Sequence, residues 1–368
     1  MFADADLREI ATSTIVRCYP HGLLPALSQF PPGPWLYTGA LENHPVLVDR
    51  IRDTRPLWGV AGKELREVRD PRLVAKTLQR AELPYATCQT AKDAPPSDGT
   101  WLIKPLRSAG GIGVLPWTGV YPTEIKGHYF QSKVEGRSVA AVFVANSKEA
   151  RLLGVTEQLL GESWGASSGF QYRGSVGPLT LPPATVAQCH RIGETLCRRF
   201  SLSGLFGIDA ILTDQHMVVV EINPRFPSSV EIIERAHAWS AIQLHVAACR
   251  DQRLPNEPES ITNPNKQRYF GKTILYAPRL LKIDQKLHEM LMERRGEVLR
   301  PDIADIPVAD SEIQENRPVL TLFAEAPSPD GVVSRLKHRA AKMYDSLLNG
   351  SSNNTPAAGY SAESASNS

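Results

Sequence analysis

The sequence lacks the cysteine pattern of a disulfide scaffold or a zinc site. Its 5 cysteines are odd in number and scattered, and no two of them form a C-x-x-C pair. Disulfide frameworks and structural zinc sites both depend on regularly spaced cysteines. We therefore expect reduced thiols, and we place Cys189 and Cys197 in the core because they lie on or beside the apolar face of a predicted helix.

Long apolar runs, a leader segment and an excess of charge of one sign are also missing. No run approaches the roughly 20 residues of a membrane span, and no basic-then-apolar leader opens the chain. Lys and Arg number 41 against 39 Asp and Glu, which gives no support for a nucleic-acid surface. We expect a cytoplasmic protein that binds neither membrane nor nucleic acid. Its 368 residues, 42% of them apolar, suffice for two or three domains.

The order of the apolar patterns predicts a mixed α/β fold. Residues 1–90 alternate short apolar runs with helical patterns. One helix is expected to begin near Asn43, a good N-cap, and one at Asp70-Pro71, where the aspartate is the N-cap. The chain opens on what resembles a strand end and loop, so a first βα unit is expected to be missing. Later patterns predict strands over residues 101–105, 138–145, 152–160, 272–276 and 319–324, and helices over residues 183–200, 229–250 and 332–348.

The most informative stretch is residues 204–225, which read as a β-hairpin. Apolar strands over 207–213 and 217–222 flank the polar turn 214–216. If the loop has three residues, Thr213 pairs with Met217 and Asp209 falls opposite Glu221. A two-residue loop would turn Asp209 away.

The end of this hairpin carries ligands of the type that Mg²⁺ prefers. Side chains two apart share a face of a strand, so Glu221 and Asn223 should point the same way as Val219. Together with Asp209 they supply oxygen ligands, which nucleotide phosphates and water would complete to an octahedron. Arg225 adds a fork suited to phosphate or carboxylate. For an isolated E-x-N-P-R, a buried strand ending in solvated residues is an equally good explanation.

A glycine-rich segment, LRSAGGIG at residues 106–113, follows a strand that ends near Lys104. It is neither a P-loop nor a dinucleotide fingerprint, because its glycines do not fit either spacing. It predicts a flexible hairpin flap whose N–H groups, at Gly110, Gly111 and Gly113, fold over phosphates with Lys104 beneath them. An ordinary glycine-rich hairpin is the alternative.

Two further segments are candidates for contacts with ligands. Residues 128–134, HYFQSKV, suit recognition of an adenine edge through Gln131 and the groups around Lys133 and Val134, or form a polar crossover. Residues 161–178 are glycine-rich and too long for a turn, which is common for functional loops. There Tyr172 and Arg173 are candidate substrate contacts.

These pieces occur in the order that resembles the ATP-grasp superfamily: a lysine before a glycine flap, an adenine-type connector, an acidic residue after G-I, and E-x-N-P-R. The chain is most similar to predicted ATP-dependent carboligases related to biotin carboxylase. GALENHP (residues 39–45), VRDP (68–71) and GKTILYA (271–277) also resemble that group, so the resemblance runs from Phe2 to about Leu347.

The resemblance implies an ATP-grasp fold in which two lobes hold ATP between them. Residues 1–90 would form a Rossmann-like pre-ATP-grasp domain, 91–145 a small lobe with the flap, and 146–255 the metal- and nucleotide-binding lobe. Residues 268–347 would form a small β-rich C-terminal α/β unit, and 349–368, which are poor in apolar residues, a disordered tail.

It also implies roles for individual residues. Lys104 and Arg225 would be catalytic, the first on phosphate and the second on the acyl phosphate or the acceptor. Many relatives have an Asp-Lys pair where this chain has Asp70-Pro71, and neither Arg72 nor Lys76 is assigned in its place. The cofactors would be ATP and Mg²⁺, with Mn²⁺ as an alternative. The nucleotide would contact Lys104, Gly110, Gly111, Gly113, Gln131, Lys133 and Val134. The metal ion would bind to Asp209, Glu221 and Asn223.

The activity implied is an ATP-dependent carboxylate-amine ligase that acts through an acyl phosphate. Its partners would be a small-molecule carboxylate and an amine, with cofactor biosynthesis suggested by analogy. A bicarbonate-using enzyme like biotin carboxylase is one alternative, although the chain shows no biotin-carrier segment. A non-catalytic ATP-binding protein is the other. The oligomeric state is left open, with a homodimer as one option.

Overall fold

The computed structural model describes residues 4–121, 127–161, 164–165, 169–214, 216–256, 258 and 268–350. Most of the tail predicted to be disordered, from residue 351 onward, lies outside these ranges. Within them, no helix is both long enough and apolar enough to cross a bilayer.

The first part of the chain is mainly helical. Its helices are α1 (Ala5–Ile10), α2 (Leu23–Ala26), α3 (Pro45–Arg52), α4 (Gly62–Val68) and α5 (Pro71–Arg80), with 3-10 turns at Leu27–Gln29 and Leu41–Asn43. The described residues before 88 contain no strand, and the extended segments there form isolated parallel bridges instead: Trp35 to Leu57, Thr38 to Phe226 and Tyr85 to Val219.

Three local predictions in this part have different outcomes. Of the strand end and loop expected at residues 2–6, residues 2–3 lie outside the described ranges, and the loop is wrong for Ala5 and Asp6, which begin helix α1. The N-cap at Asp70 is confirmed, since its carboxylate accepts from the Arg72 backbone N–H at 2.9 Å. Helix α3 begins at Pro45 with His44 at its N-cap, so Asn43 does not cap it.

A small antiparallel sheet follows. Its strands are β1 (Cys88–Thr90), β2 (Trp101–Pro105), β3 (Leu115–Pro116) and β4 (His128–Ser132), in the order β1-β4-β2-β3. The glycine-rich flap connects β2 to β3. Trp117 and Phe130 pack edge to face with their ring centroids 4.8 Å apart and form the core beneath this sheet.

An eight-stranded sheet forms the centre of the molecule. Its strands are β5 (Arg137–Asn146), β6 (Ala150–Leu160), β7 (Tyr172–Gly177), β8 (Ser203–Leu212), β9 (Met217–Asn223), β10 (Tyr269–Tyr276), β12 (Ile303–Ala304) and β14 (Pro318–Ala326), while β11 (Leu281–Ile283) pairs with β13 (Ser311–Ile313). The order is β12-β14-β10-β7-β6-β5-β8-β9. The C-terminal strands therefore extend the sheet that carries the β8–β9 hairpin, because β10 pairs with β7.

The remaining helices cover both faces of this sheet. They are α6 (Pro183–Phe200), α7 (Val230–His237), α8 (Ala241–Asp251), α9 (Gln285–Glu293) and α10 (Pro329–Gly350). Helix α6 spans the predicted residues, and Cys189 and Cys197 are fully buried as expected. The single helix expected over 229–250 is two helices, because Ala238 adopts a left-handed conformation and Ser240 caps α8.

Alternation along the strands separates a packed face from an open one. On β5, Val139, Ala141 and Phe143 pack in the cluster that α6 covers. Val142 and Val144 face α7 and α8 on the other side. Earlier along β5 on that same side the helices no longer cover the sheet, and Ser138 and Ala140 line an open cleft instead.

Candidate active site

The cleft lies between the small sheet and the open face of the large sheet, and its cavity volume is about 710 Å³. The first part of the chain also lines it, through Thr38 and Gly39. Of the 11 residues that the sequence predicts for the site, only Gly113 is absent from the lining. The other ten are Lys104, Gly110, Gly111, Gln131, Lys133, Val134, Asp209, Glu221, Asn223 and Arg225.

The hairpin places Asp209 directly opposite Glu221, but not by the expected route. Leu212, rather than Thr213, pairs with Met217 at the turn, so the predicted pair is wrong. The register then shifts by one residue between Asp209 and Ala210, which pairs with Val219 and leaves an extra residue on β9. This β-bulge brings the two carboxylates opposite each other.

The bulge also changes which side chains share a face. Val219 packs in the α6-side core together with Ala210 and Ile222. Glu221 and Asn223 instead line the cleft, so the expectation that they point the same way as Val219 is wrong. A bulge interrupts the two-residue alternation on which that expectation rests.

The two carboxylates are held in different electrostatic environments. Asp209 accepts hydrogen bonds from Gln158 Nε2 and Asn223 Nδ2, both at 2.9 Å. Burial and the nearby charge of Glu221 raise the pKa of Asp209 to about 6. Burial also acts to raise the pKa of Glu221, but Arg69 and Lys104 outweigh it and lower that pKa. Two half-buried acids that oppose each other's ionisation form a pair that a divalent cation would stabilise.

The donor set fits Mg²⁺ with help from outside the protein. In the described ranges, no three His, Cys, Asp or Glu side chains gather in a metal-binding arrangement. The cleft offers two carboxylates and the Asn223 amide oxygen, which accepts from Arg225 Nη2 at 3.2 Å. Mg²⁺ commonly binds one or two carboxylates and takes its other ligands from phosphates and water.

Lys104 extends from the small sheet toward the hairpin. Its buried Nζ donates to Gln131 Oε1 at 3.0 Å, and Gln131 Nε2 donates to the Val220 carbonyl at 3.0 Å. Burial acts to lower the pKa of Lys104, but Tyr129 and Glu221 raise it overall, so the ammonium stays charged. The Gln131 amide is engaged at both ends, and its carbonyl oxygen keeps a second lone pair for a further donor.

The flap (residues 106–113) is docked on the large lobe. The Gly110 carbonyl accepts from the Tyr172 N–H at 3.0 Å. A Cβ atom at Gly111 would stand 1.8 Å from the Phe170 carbonyl oxygen, and both glycines have positive φ. Only residues without a side chain allow this close approach of two backbones.

Four residues that the sequence analysis did not assign complete the site: Glu42, Asn43, Arg69 and Gln158. Arg69 Nη1 donates to Glu221 Oε1 at 2.7 Å and to the Ile222 carbonyl at 3.0 Å. Its Nη2 donates to Asn43 Oδ1 at 3.2 Å. Three of these residues lie in segments that resemble the family, Arg69 in V-R-D-P and Glu42 and Asn43 in GALENHP, but the resemblance gave them no role.

Glu42 reaches the site from the same first part of the chain. Its side chain is 1% exposed, and Oε1 accepts from Arg225 Nε at 2.9 Å. A buried carboxylate that holds one edge of a guanidinium fixes the direction of the fork. The two unassigned candidates for a second nucleotide cation do not reach the cleft lining, since Arg72 pairs with Asp70 and Lys76 is exposed.

The glycine-rich segment 161–178 is only partly a loop. Residues 162–163 and 166–168 lie outside the described ranges, and strand β7 occupies Tyr172–Gly177. Tyr172 lines the cleft as predicted. Arg173 does not, because it is buried with its guanidinium 3.8 Å from the centre of the Tyr276 ring.

Comparison with known proteins gives the same fold. Residues 68–229 match the ATP-grasp domain family. Among curated proteins, the carbamoyl phosphate synthase large chain of Thermoplasma volcanium is 26% identical over 148 residues, which are 40% of this chain and 13% of that protein. An uncharacterized protein of Methanocaldococcus jannaschii is 23% identical over 231 residues, 61% of this chain and 51% of the relative. The matches thus span at most about half the length of these relatives.

Similar solved structures include carboxylases and a ligase. Pyruvate carboxylase of Rhizobium etli has a TM-score of 0.64 at 13% identity, covering 88% of this chain and 32% of that one. L-amino acid ligase of Bacillus licheniformis has a TM-score of 0.60 at 14% sequence identity, and the match covers 89% of this chain and 82% of the ligase. A third similar structure is the biotin carboxylase domain dimer of Hydrogenobacter thermophilus 2-oxoglutarate carboxylase, solved with MgADP and bicarbonate. Its TM-score is 0.57 at 14% sequence identity, and the match covers 85% of this chain and 73% of that one. Residues 68–229 therefore match an ATP-grasp domain, and the chain shares the fold of these solved structures.

Proposed function

We propose that this protein is an ATP-dependent carboxylate-amine ligase that acts on small molecules through an acyl phosphate. The observation that carries the proposal is the convergence of Asp209, Glu221, Asn223 and Arg225 on one cleft that Lys104 enters from the opposite sheet. ATP-dependent chemistry needs metal ligands and cations for phosphate, and the carboxylates of Asp209 and Glu221 and the cations of Lys104 and Arg225 are suited to these roles.

The reaction has two displacements. A substrate carboxylate oxygen attacks the γ-phosphorus of ATP, the bond to the β–γ bridging oxygen breaks, and ADP leaves. The amine nitrogen then attacks the acyl carbon, the bond to the phosphate oxygen breaks, and phosphate leaves as the nitrogen loses a proton. Asp209, Glu221 and Asn223 would hold Mg²⁺, which offsets phosphate charge when bound.

The chain's own cations orient the reacting groups. Lys104, fixed by Gln131, presents a point charge to phosphate beneath the flap. Arg225, fixed by Glu42, presents its remaining N–H groups to the carboxylate or acyl phosphate. The flap carries backbone N–H groups over the nucleotide phosphates and excludes water.

The wider assignments are part of the same proposal. We assign ATP contacts to Gly110, Gly111, Gly113, Lys133 and Val134, and retain the four segments 1–90, 91–145, 146–255 and 268–347 as domains. A cytoplasmic location and a role in cofactor biosynthesis are proposed by analogy with relatives. A homodimer is proposed because one structural neighbour is described as a domain dimer, and light scattering of the purified chain tests it.

The test is ADP release from MgATP by the purified protein with pools of carboxylates and amines. Hydroxylamine replaces the amine in a parallel reaction, because it captures an acyl phosphate as a hydroxamate. Hydroxamate formation that depends on one carboxylate supports the proposal, and Mn²⁺ in place of Mg²⁺ tests the choice of ion. ADP release with bicarbonate alone would instead favour the carboxylase reaction, and ATP binding without ADP release a non-catalytic role.

A further inference from the structure

The end of the cleft away from the small sheet holds charged residues that the proposed chemistry does not use. Lys272, Glu231 and Asp305 line it, together with the hydroxyl groups of Ser228 and Thr321. They come from β10, α7, the segment after β12, the loop before α7, and β14. Side chains from five separate segments therefore converge on one end of the cleft.

This cluster lies on the same face of the large sheet as the candidate metal-binding residues. Gln158, which donates to Asp209, pairs with Ser175 on β7, and Ser175 pairs with Lys272 on β10. Residues opposite each other on paired strands face the same side, and two strand spacings put Lys272 about 10 Å from Gln158 between Cα atoms. A second connection is shorter in sequence, because Lys272 Nζ donates to Ser228 Oγ at 3.2 Å, three residues after Arg225.

Lys272 is buried, at 4% exposure, and its ammonium group lies in the cleft lining. Besides Ser228 it donates to Glu231 Oε2 at 2.7 Å. An ammonium group has three N–H donors, so one is left over among the contacts of the described residues. Burial acts to lower the pKa of Lys272, but Glu231 and Tyr172 raise it overall, and its charge is retained.

The two carboxylates have unused acceptors as well. Asp305 Oδ2 accepts from Thr321 Oγ1 at 2.5 Å, and its other oxygen has no partner within the described part of the chain. Oε1 of Glu231 also has no partner within the described part of the chain, and the Glu231 side chain is 43% exposed. Asp305 is exposed, but partial desolvation of its carboxyl and the charges of Glu231 and Asp6 raise its pKa. Arg235, the nearest other cation on α7, faces a different groove, where it stacks on Phe323 at 3.7 Å.

One positive and two negative side chains give this end of the cleft a net charge of minus one. We propose that it is a recognition site for the ammonium group of a cationic amine, held by Asp305 and Glu231. An anionic ligand would add to the negative charge, and a zwitterion would leave it unchanged. As the class of the amine substrate, this inference rests on the proposed ligase function, but the binding site itself does not.

The test compares three small probes of equal length: propylammonium, β-alanine and propionate. Their dissociation constants are measured by ligand-observed NMR on the full chain with MgADP present. The variant is Asp305→Asn, which keeps an acceptor for Thr321. Its matched control is Asp302→Asn, the same change three residues away, where the carboxylate pairs with Arg339 outside the cleft.

We expect propylammonium to bind more tightly than the other two probes. Loss of one charge-assisted hydrogen bond should weaken it roughly 10- to 100-fold in Asp305→Asn and leave it unchanged in Asp302→Asn. Equal binding to both variants, or no propylammonium binding in the wild-type protein, would overturn the inference. Because this readout needs no turnover, a wild-type protein that fails the hydroxamate assay yet binds propylammonium through Asp305 refutes only the ligase function.

Discussion

Replacing Gly111 with alanine is expected to prevent the flap from docking on the large lobe. The new Cβ would lie 1.8 Å from the Phe170 carbonyl oxygen, whereas carbon and oxygen atoms approach to about 3.3 Å. The flap must therefore retreat by about 1.5 Å at this point. Such a shift breaks the hydrogen bond from the Tyr172 N–H to the Gly110 carbonyl, now 3.0 Å.

Gly110→Ala is the matched control. Its φ of +61° is close to the +76° of Gly111, but a Cβ there meets nothing within 4 Å. Both variants share the cost of a left-handed alanine, about 1–2 kcal/mol, so this cost cancels when the two are compared. Only Gly111→Ala adds the clash and removes the flap's N–H groups from the phosphates, which we expect to lower kcat/KM for ATP at least about tenfold further.

The assay is ADP release at varied ATP concentration, with thermal unfolding of each variant as a check on folding. The flap contributes no residue to the buried clusters of the large sheet, so both variants should melt close to the wild-type protein. The reasoning is refuted if the two variants lose the same activity, because the docked flap would then have no part in the reaction.

Three further predictions concern the site and the core. Glu221→Gln should lower ADP release by about 10²-fold, because the proposed metal ligand loses its charge. The control Glu157→Gln, on β6 and outside the cleft lining, should leave ADP release unchanged. Equal rates of ADP release in the two variants would contradict the assignment of Glu221 to the metal site. Arg69→Lys keeps the positive charge but loses the planar guanidinium that reaches the three acceptors of Arg69 at once. Turnover should therefore fall roughly 10- to 100-fold while the fold survives. Full activity would show that the contact between Arg69 and Glu221 is not needed. His245 accepts from the Leu205 N–H through Nδ1 and contacts the Trp58 carbonyl through Nε2, and burial lowers its pKa. Its contribution to the free energy of unfolding is thus complete above pH 6.5 and falls as the pH drops below it, by at most about 1.4 kcal/mol per pH unit. Urea unfolding between about pH 7.5 and 5.5 should show a shallower pH dependence in His245→Gln, and an unchanged slope would contradict this.

The elements with strong local signals were predictable. Helix α5 carries an N-cap and a proline at its first position, and α6 repeats apolar residues over 18 positions, so both follow from the sequence. The break between α7 and α8 was not predictable, because Ala238 takes a left-handed conformation that its residue type does not favour. The break lets α7 pack on β6, β7 and β10 and α8 on β5 and β8.

The contacts that complete the site were beyond sequence reasoning for a different reason. Arg69 and Glu221 are 152 residues apart, and Glu42 and Arg225 are 183 apart. Periodicity and capping describe neighbours within a few residues, so they place each side chain on its own element but not against a distant one. The segments that resemble the family contain the right residues, but only the fold shows that Arg69 contacts Glu221 whereas Arg72 pairs with Asp70.

The hairpin shows how a correct pair of residues can follow from an incorrect register. A three-residue loop and an unbroken ladder would place Asp209 opposite Glu221, and so does the observed longer loop combined with one extra residue on β9. Only the observed combination also keeps Val219 and Ile222 together in the core while both carboxylates line the cleft. With an unbroken ladder, Val219 and Ile222 could not share a face, because they are an odd number of residues apart. The bulge resolves this conflict, and it also directs the Val220 carbonyl to Gln131, which holds Lys104. One inserted residue thus links the candidate metal site to the candidate phosphate-binding lysine, which is why we expect deletion of Val220 to disrupt both sites together.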